Sequence, residues 1–420
     1  MHPRPKNTPE QESSHGDYNA PAPSTRQGIA SIHETDEQPG TAANIFSQGG
    51  QNYRTMGRWD TALVLASNQV GLGILSLPKV LDVLGLLPGV AAILSLGIIS
   101  WYTAYELLQF YRKHPHVVNM ADMARVVGGI PLEIIFGICL LVKICFTCGS
   151  ATVTISIALN TFSSHGAYTV VFAAVAAMAC WLLCLPRQFK FVAKIGLPST
   201  VSILVAVLIV IISLRVSPPK TAPAGWDKTL KLVGRPSLTE GVNAVLKVCY
   251  AYAGNVGFVS YMAEMRDPGR DFAPALTLLQ CTVSPALGSA PAVPAKVAYA
   301  VVLPAILSTG LVFGHTATKY LYVVAMRAMK CTHQLTDSST RSWATWLVCA
   351  TVFWIMSFLI ANAIPVFDSI LAIASATFIA WFTFGISGVF WYHRHWEDKF
   401  ARRNLPLAVV NALLLCRPCL

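Results

Sequence analysis

The sequence predicts an all-α polytopic membrane protein, and three observations predict it. Of 420 residues, 54% are hydrophobic and only 12% are charged, at a mean hydropathy of +0.54, more apolar surface than a soluble core absorbs. Apolar runs of about 20 residues, enough to cross the hydrocarbon core as helices, recur along the chain. These runs are solid rather than alternating at period two, which argues against a transmembrane barrel.

Residues 1–55 are rich in Pro, Ser, Gln, Gly and charge without periodicity, and are expected to form a disordered tail. No apolar run begins before residue 61, so no cleavable signal is expected and the first span acts as an uncleaved anchor. The membrane domain is expected over 56–416. Nine spans are predicted, near 60–82, 86–108, 131–160, 167–185, 195–214, 240–263, 297–320, 342–363 and 368–391. Between Glu133 and Arg187 the one full charge is Lys143, and the turn SSHGAY at 163–168 divides that run into a helical hairpin.

The net charge of +11 is topological and does not point to nucleic acid, because the basic residues lie in loops between spans. Arg54, Arg58, Arg112, Lys113, Arg125, Arg187, Lys190, Lys194, Arg266 and Arg270 fall on one side, which makes that side and the N-terminus cytoplasmic. The loop at 215–237 is an exception. Arg327, Lys330 and Arg341, and then Arg394, Lys399, Arg402 and Arg403, share the cytoplasmic side only if the chain crosses once more between Arg270 and Lys296. Residues 272–295 are uncharged but hold four prolines, each costing about 3 kcal/mol inside a regular helix. A partial span and a re-entrant loop are both open.

Two spans carry helix breakers at their centres. In NQVGLGILSLP, residues 68–78, Pro78 cannot donate to the carbonyl of Ile74, and Gly71 and Gly73 lower the cost of leaving helical geometry. In YAYAGNVG, Gly254, Asn255 and Gly257 interrupt the sixth span just after Tyr250 and Tyr252. Close helix packing explains a single pair of small residues. Two interruptions that open each of two five-helix halves point instead to inverted repeats around a binding site, here about 60–214 and about 238–391. Half-helix N-termini suit a carboxylate and unwound carbonyls suit an ammonium group or a cation, the two ends of an amino acid.

NQVGLGILSLP and YAYAGNVGFVSYMAEMRDPGRDF, with GHTATKYLYV at 314–323 and IANAIPVFDSILAIASATF at 360–378, resemble the amino acid/auxin permease family, particularly its fungal members, over about 54–403. The resemblance implies eleven spans, a cytoplasmic N-terminus and a leucine-transporter-like fold of five-plus-five inverted repeats. It implies secondary transport of amino acids by alternating access, coupled to protons and in some members to sodium, with no other cofactor. It places the substrate on Asn68, Val70, Gly71, Leu72, Gly73 and Ile74 and on Tyr252, Ala253, Gly254 and Asn255. Ser308 and Thr309 fall beside the ion or proton path. Two departures suggest a truncated variant: the seventh span is replaced by the proline-rich stretch, and the last span is reduced to about a dozen apolar residues before Arg417.

Ionisable groups inside spans are functional hypotheses in themselves. Lys143 and Lys247 either hold a substrate carboxylate, block a cation site, or snorkel toward water. Glu264, followed by Arg266 and Asp267, forms either a cytoplasmic gate pair or a solvated helix end. His315 either titrates in a proton-coupled cycle or is hydrogen-bonded structurally. Asp368 is expected to cap a helix, and the pairs His114/His116 and His393/His395 to lie in loops without metal. No Ser-His-Asp set, HExxH or acidic metal motif falls at membrane depth, so no enzyme is expected. The expected partners are an amino acid and the lipid bilayer, in the plasma or vacuolar membrane. An amino acid sensor that does not transport is the alternative.

Overall fold

The computed structural model describes the backbone of residues 54–70, 77–164, 166–216, 231–287, 295–364 and 374–416. The tail through residue 53, Gly71, Leu72, Gly73 and Ile74 of the first break, and Asp368 lie outside the described residues. Among those described, the chain is helical, and its one β-type pairing is an isolated parallel bridge between Met56 and Met265.

The first span is described as α1 (Arg58–Val70) and α2 (Leu77–Leu84), on either side of residues that lie outside the described ones. α3 (Leu86–Lys113) and α4 (Met120–Ser163) follow, the latter kinked where Gly128 and Gly129 leave helical geometry just before Pro131. The expected hairpin is α4 with α5 (Thr169–Leu183), and α6 (Phe189–Val216) completes the first half. The second half begins with a span divided into α7 (Leu238–Ala251) and α8 (Asn255–Glu264). α9 (Pro268–Leu287), α10 (Ala295–Ala328) and α11 (Thr340–Ala363) come next. Two π-helical turns, Ser375–Ile379 and Trp381–Gly385, lead into α12 (Ile386–Arg394), and α13 (Leu405–Cys416) ends the described chain.

α3, α4 and α11 are each long and apolar enough to cross a bilayer. Their outward faces are apolar too: on α11, Val348, Val352, Ile355, Met356 and Leu359 recur at helical spacing and are exposed, as lipid-facing residues are. The stretch read as a partial span or re-entrant loop is helical through Leu287. α9 holds 20 residues, about 30 Å of helix. Pro268 takes the first helical position, and Asp267 caps that end by accepting the amide of Arg270 at 3.1 Å, while Pro274 and Pro285 stand inside the helix. The last span is as short as its sequence, the 12 residues of α13.

α10 packs on α4, α6 and α11, while α1 packs on α6, α9 and α10. At the end where α1 begins, Arg58 pairs with Asp271 at 2.9 Å. There the amide of Met56 donates to the carbonyl of Glu264 at 3.2 Å, and that of Arg266 to Met56 at 3.0 Å. At the far end of the broken span, the exceptional basic loop returns to the turn between α2 and α3. Leu86 N donates to Lys231 O at 2.9 Å and Gly234 N to Leu84 O at 2.8 Å. Gly85, at φ 86°, has backbone so close to Gly234 that neither position has room for a side chain.

Candidate functional site

The sixth span breaks over Tyr252, Ala253 and Gly254. α7 ends at Ala251, Tyr252 departs at φ −99° and ψ 12°, and Gly254 is the N-cap of α8. Helix ends leave backbone groups unpaired, and here side chains from other spans take them up. The carbonyl of Gly254 accepts Asn68 Nδ2 at 2.9 Å, and that of Ala253 accepts Lys143 Nζ at 3.4 Å. Asn68 lies on the last described turn of α1, so its bond ties the end of that helix to the break of the sixth span. Space at 254 is tight: a Cβ would stand 3.1 Å from Asn68 Nδ2 and 3.2 Å from the ring of Phe258, so those side chains would have to give by a few tenths of an ångström.

A small cavity lies at this junction. Asn68 and Gln69 wall it from α1, Thr147 from α4, Tyr250 and Ala253 from the sixth span, and Thr309 and Phe313 from α10. Its volume of about 10 Å³ has room for roughly one water molecule. Thr309 Oγ1 donates to the carbonyl of Ser67 at 2.9 Å, and Tyr250 Oη lies 3.0 Å from Ser150 Oγ. These contacts hold α1 and α7 against α10 and α4 around the cavity.

Gln69 is the residue the sequence reading passed over. It is buried at 2% exposure, and neither its Nε2 nor its Oε1 has a hydrogen-bond partner among the described residues. A buried polar group left this way costs about 1–3 kcal/mol, and such groups in folded proteins call for an explanation. The available signal was its position, a second amide beside Asn68 at the edge of the glycine-broken segment.

The other expected residues fall in three places. Asn68, Ala253 and Thr309 line the cavity, and Gly254 faces Asn68 across it. Val70 ends α1, while Gly71, Leu72, Gly73 and Ile74 lie outside the described residues. Tyr252 and Asn255 reach elsewhere: Tyr252 Oη donates to the carbonyl of Ile93 at 3.1 Å, and Asn255 Nδ2 donates to Thr103 Oγ1 and to the carbonyl of Thr383, each at 3.0 Å. Asn255 thereby clamps α8 to α3 and to the second π-turn, where i→i+5 geometry leaves carbonyls available. Ser308 is fully buried on α10, and its hydroxyl has no partner among the described residues.

Glu264 and His315 stand along α8 and α10. Glu264 is fully buried and forms an ion pair with Lys319 of α10, and its Oε2 accepts the amide of Phe189 at 3.1 Å. The ammonium of Lys319 also lies 5.0 Å from the centre of the Phe189 ring. The partner of Glu264 is thus neither Arg266 nor Asp267 nor solvent. His315 is fully buried, with Nε2 donating to the carbonyl of Pro186 at 2.9 Å and its ring packed 4.5 Å from Phe189. Lys247 is half-buried on α7. The loop histidines regroup, with the ring of His114 5.9 Å from His116 and 6.4 Å from His393. Burial first, then the nearby charges of His116, His393 and Lys113, lowers the pKa of His114 to about 4.

Residues 54–287 match the family described as transmembrane amino acid transporter protein. A protein of Neurospora crassa described as an N amino acid transport system protein is 31% identical over 360 residues, covering 80% of this chain and 76% of its own. A transmembrane transporter of Fusarium pseudograminearum is 24% identical over 393 residues, covering 88% and 82%. Among solved structures, a Na+-coupled sialic acid symporter in a substrate-bound outward-open state aligns with a TM-score of 0.52 at 10% identity, covering 80% of this chain and 79% of its own. Mhp1, a nucleobase-cation-symport-1 family transporter in a closed conformation with bromovinylhydantoin bound, aligns with a TM-score of 0.56 at 14% identity, covering 87% and 83%. At these identities the structural likeness shows the fold, which is leucine-transporter-like.

Proposed function

Because this chain belongs to the transmembrane amino acid transporter family, we propose that it is a secondary active symporter that moves amino acids by alternating access, with protons as the coupling ion and sodium as the alternative. One observation carries the reading: the bond from Asn68 to the Gly254 carbonyl joins the end of α1 to the break of the sixth span beside a cavity with space for about one water. An amino acid enters only if these helices part. The site at the junction offers the N-terminal amides of α8 to a carboxylate and the unpartnered amide of Gln69 to either end of the zwitterion.

In this reading α1, α2, α7 and α8 move against α4, α5, α10 and α11, which belong to repeats spanning about 60–214 and about 238–391. The contact between Glu264 and Lys319 is then the closure on the side of the N-terminus, taken as cytoplasmic in a plasma or vacuolar membrane. Ser308, Thr309 and His315, on α10 beside it, are assigned to the ion or proton path.

The test uses the full chain in detergent, with unfolding followed on addition of each common L-amino acid. At least one is expected to raise the melting temperature of the wild type. Gln69→Met removes an orphaned amide, so the empty variant is expected to melt higher than the wild type while binding about tenfold more weakly or worse. Unchanged affinity in the variant would remove Gln69 from the site. Failure of every amino acid to stabilise the wild type would sink the transporter reading.

A further inference from the structure

Each buried acid among the described residues already has its own cation. Glu106 pairs with Arg394 at 2.9 Å, Asp122 with Arg327 at 2.6 Å, and Glu264 with Lys319. Arg187, a buried cation outside these pairs, donates to the carbonyls of Leu335 and Asp337 at 2.7 and 3.0 Å and is enclosed by the rings of Tyr322, Trp343 and Trp346. Lys143 is left over.

Lys143 is fully buried midway along α4 and has no acidic partner among the described residues. Its contacts are the carbonyl of Ala253 at 3.4 Å and the face of the Phe313 ring at 4.2 Å. An ammonium has three donors, so the single carbonyl leaves most of its hydrogen-bonding capacity unused. Complete burial also leaves it no path to snorkel. A charge held this way inside a membrane is costly and marks a functional position.

The position is specific. Ala253 and Phe313 both line the cavity, as does Thr147, one turn along the same helix. The N-terminus of α8 begins two residues after Ala253, so its amides and the ammonium converge on one region. Everything gathered there favours a negative charge that none of the described residues supplies.

We propose that Lys143 is the counter-charge for the substrate carboxylate, so that the site selects molecules with a free carboxylate and rejects those in which it is esterified or missing. This rests on the transporter reading and names the group that sets its substrate class. An entering carboxylate takes up the donors of Lys143 that Ala253 does not use. Its charge neutralises the ammonium the fold leaves unpaired, so the loaded site is closer to neutral than the empty one.

The test compares the amino acid that most stabilises the full-length wild type with its methyl ester, in binding titrations on the wild type, Lys143→Met and Lys143→Gln. The wild type is expected to favour the free acid by roughly 100-fold, and the variants by no more than about threefold. The empty variants are expected to melt at or above the wild type, since a buried unpaired charge has been removed. A preference for the acid that persists undiminished in Lys143→Met overturns the proposal alone. So does a lower melting temperature of both empty variants, because the ammonium would then support the fold. Absence of any amino acid binding by the wild type overturns the transporter reading, and this proposal with it.

Discussion

Lys319→Ala is expected to abolish transport and to lower stability by about 3–5 kcal/mol, the usual consequence of removing one partner of a buried ion pair. The variant leaves the carboxylate of Glu264, fully buried, with the Phe189 amide as its remaining described partner. Glu264 ends α8, and its backbone carbonyl also receives Met56 ahead of α1, so α1 and α8 are both anchored where Lys319 reaches across from α10. The double variant Glu264→Gln/Lys319→Met separates fold from gate. It is expected to recover most of the lost stability, because no charge remains buried, yet to transport poorly, because the charged latch is gone. Thermal unfolding and uptake on the same preparations check both halves, and full uptake by the double variant would show that the pair serves the fold alone.

The second large effect is expected at Asn255. Asn255→Leu removes two hydrogen bonds, to Thr103 and to the Thr383 carbonyl, leaving Thr103 its bond to the Ser100 carbonyl, at a cost of about 1–3 kcal/mol. It also unties α8 from α3 and from the π-turns. The expected phenotype is a protein that still inserts, melts lower and transports at a small fraction of the wild-type rate. Asn255→Asp can accept from Thr103 but cannot donate to the carbonyl, so an intermediate loss is expected. Wild-type uptake by Asn255→Leu would mean that this junction does not need to be rigid.

How much of this was legible in the sequence depended on the range of the interaction concerned. The long helices α3, α4 and α11 are written as apolar runs, and the break of the sixth span is written in Gly254, because membrane depth leaves a chain few alternatives. The helix α9 was harder to read, since prolines count against a helix, yet it runs through both Pro274 and Pro285. The two π-turns left no mark, because a shift from i→i+4 to i→i+5 changes neither composition nor apolar content.

The site itself was half legible. Asn68 and Gly254 lie in motifs whose breakers announce them, but their direct bond spans 186 positions of sequence. Lys319 as the partner of Glu264 had no local signal at all. The nearer charges of Arg266 and Asp267 drew the expectation, but in the fold the backbone amide of Arg266 bonds to Met56 and the carboxylate of Asp267 caps α9. Asn255 adjoins the break, and helical rotation aims its amide at α3 instead of the cavity. Gln69 was in plain view beside Asn68. What singles it out is the absence of a partner, which only the packed structure reveals.

The central claim is that the junction of α1 with the broken sixth span is a substrate site that opens to each side of a membrane in turn. Uptake of the best-binding radiolabelled amino acid into proteoliposomes, with and without an imposed inward proton gradient, tests it most directly. The account predicts accumulation above equilibrium that requires the gradient and is lost when a protonophore collapses it. Measurable binding with no uptake under a proton or a sodium gradient would contradict the account, and would identify the protein as one that senses amino acids without carrying them.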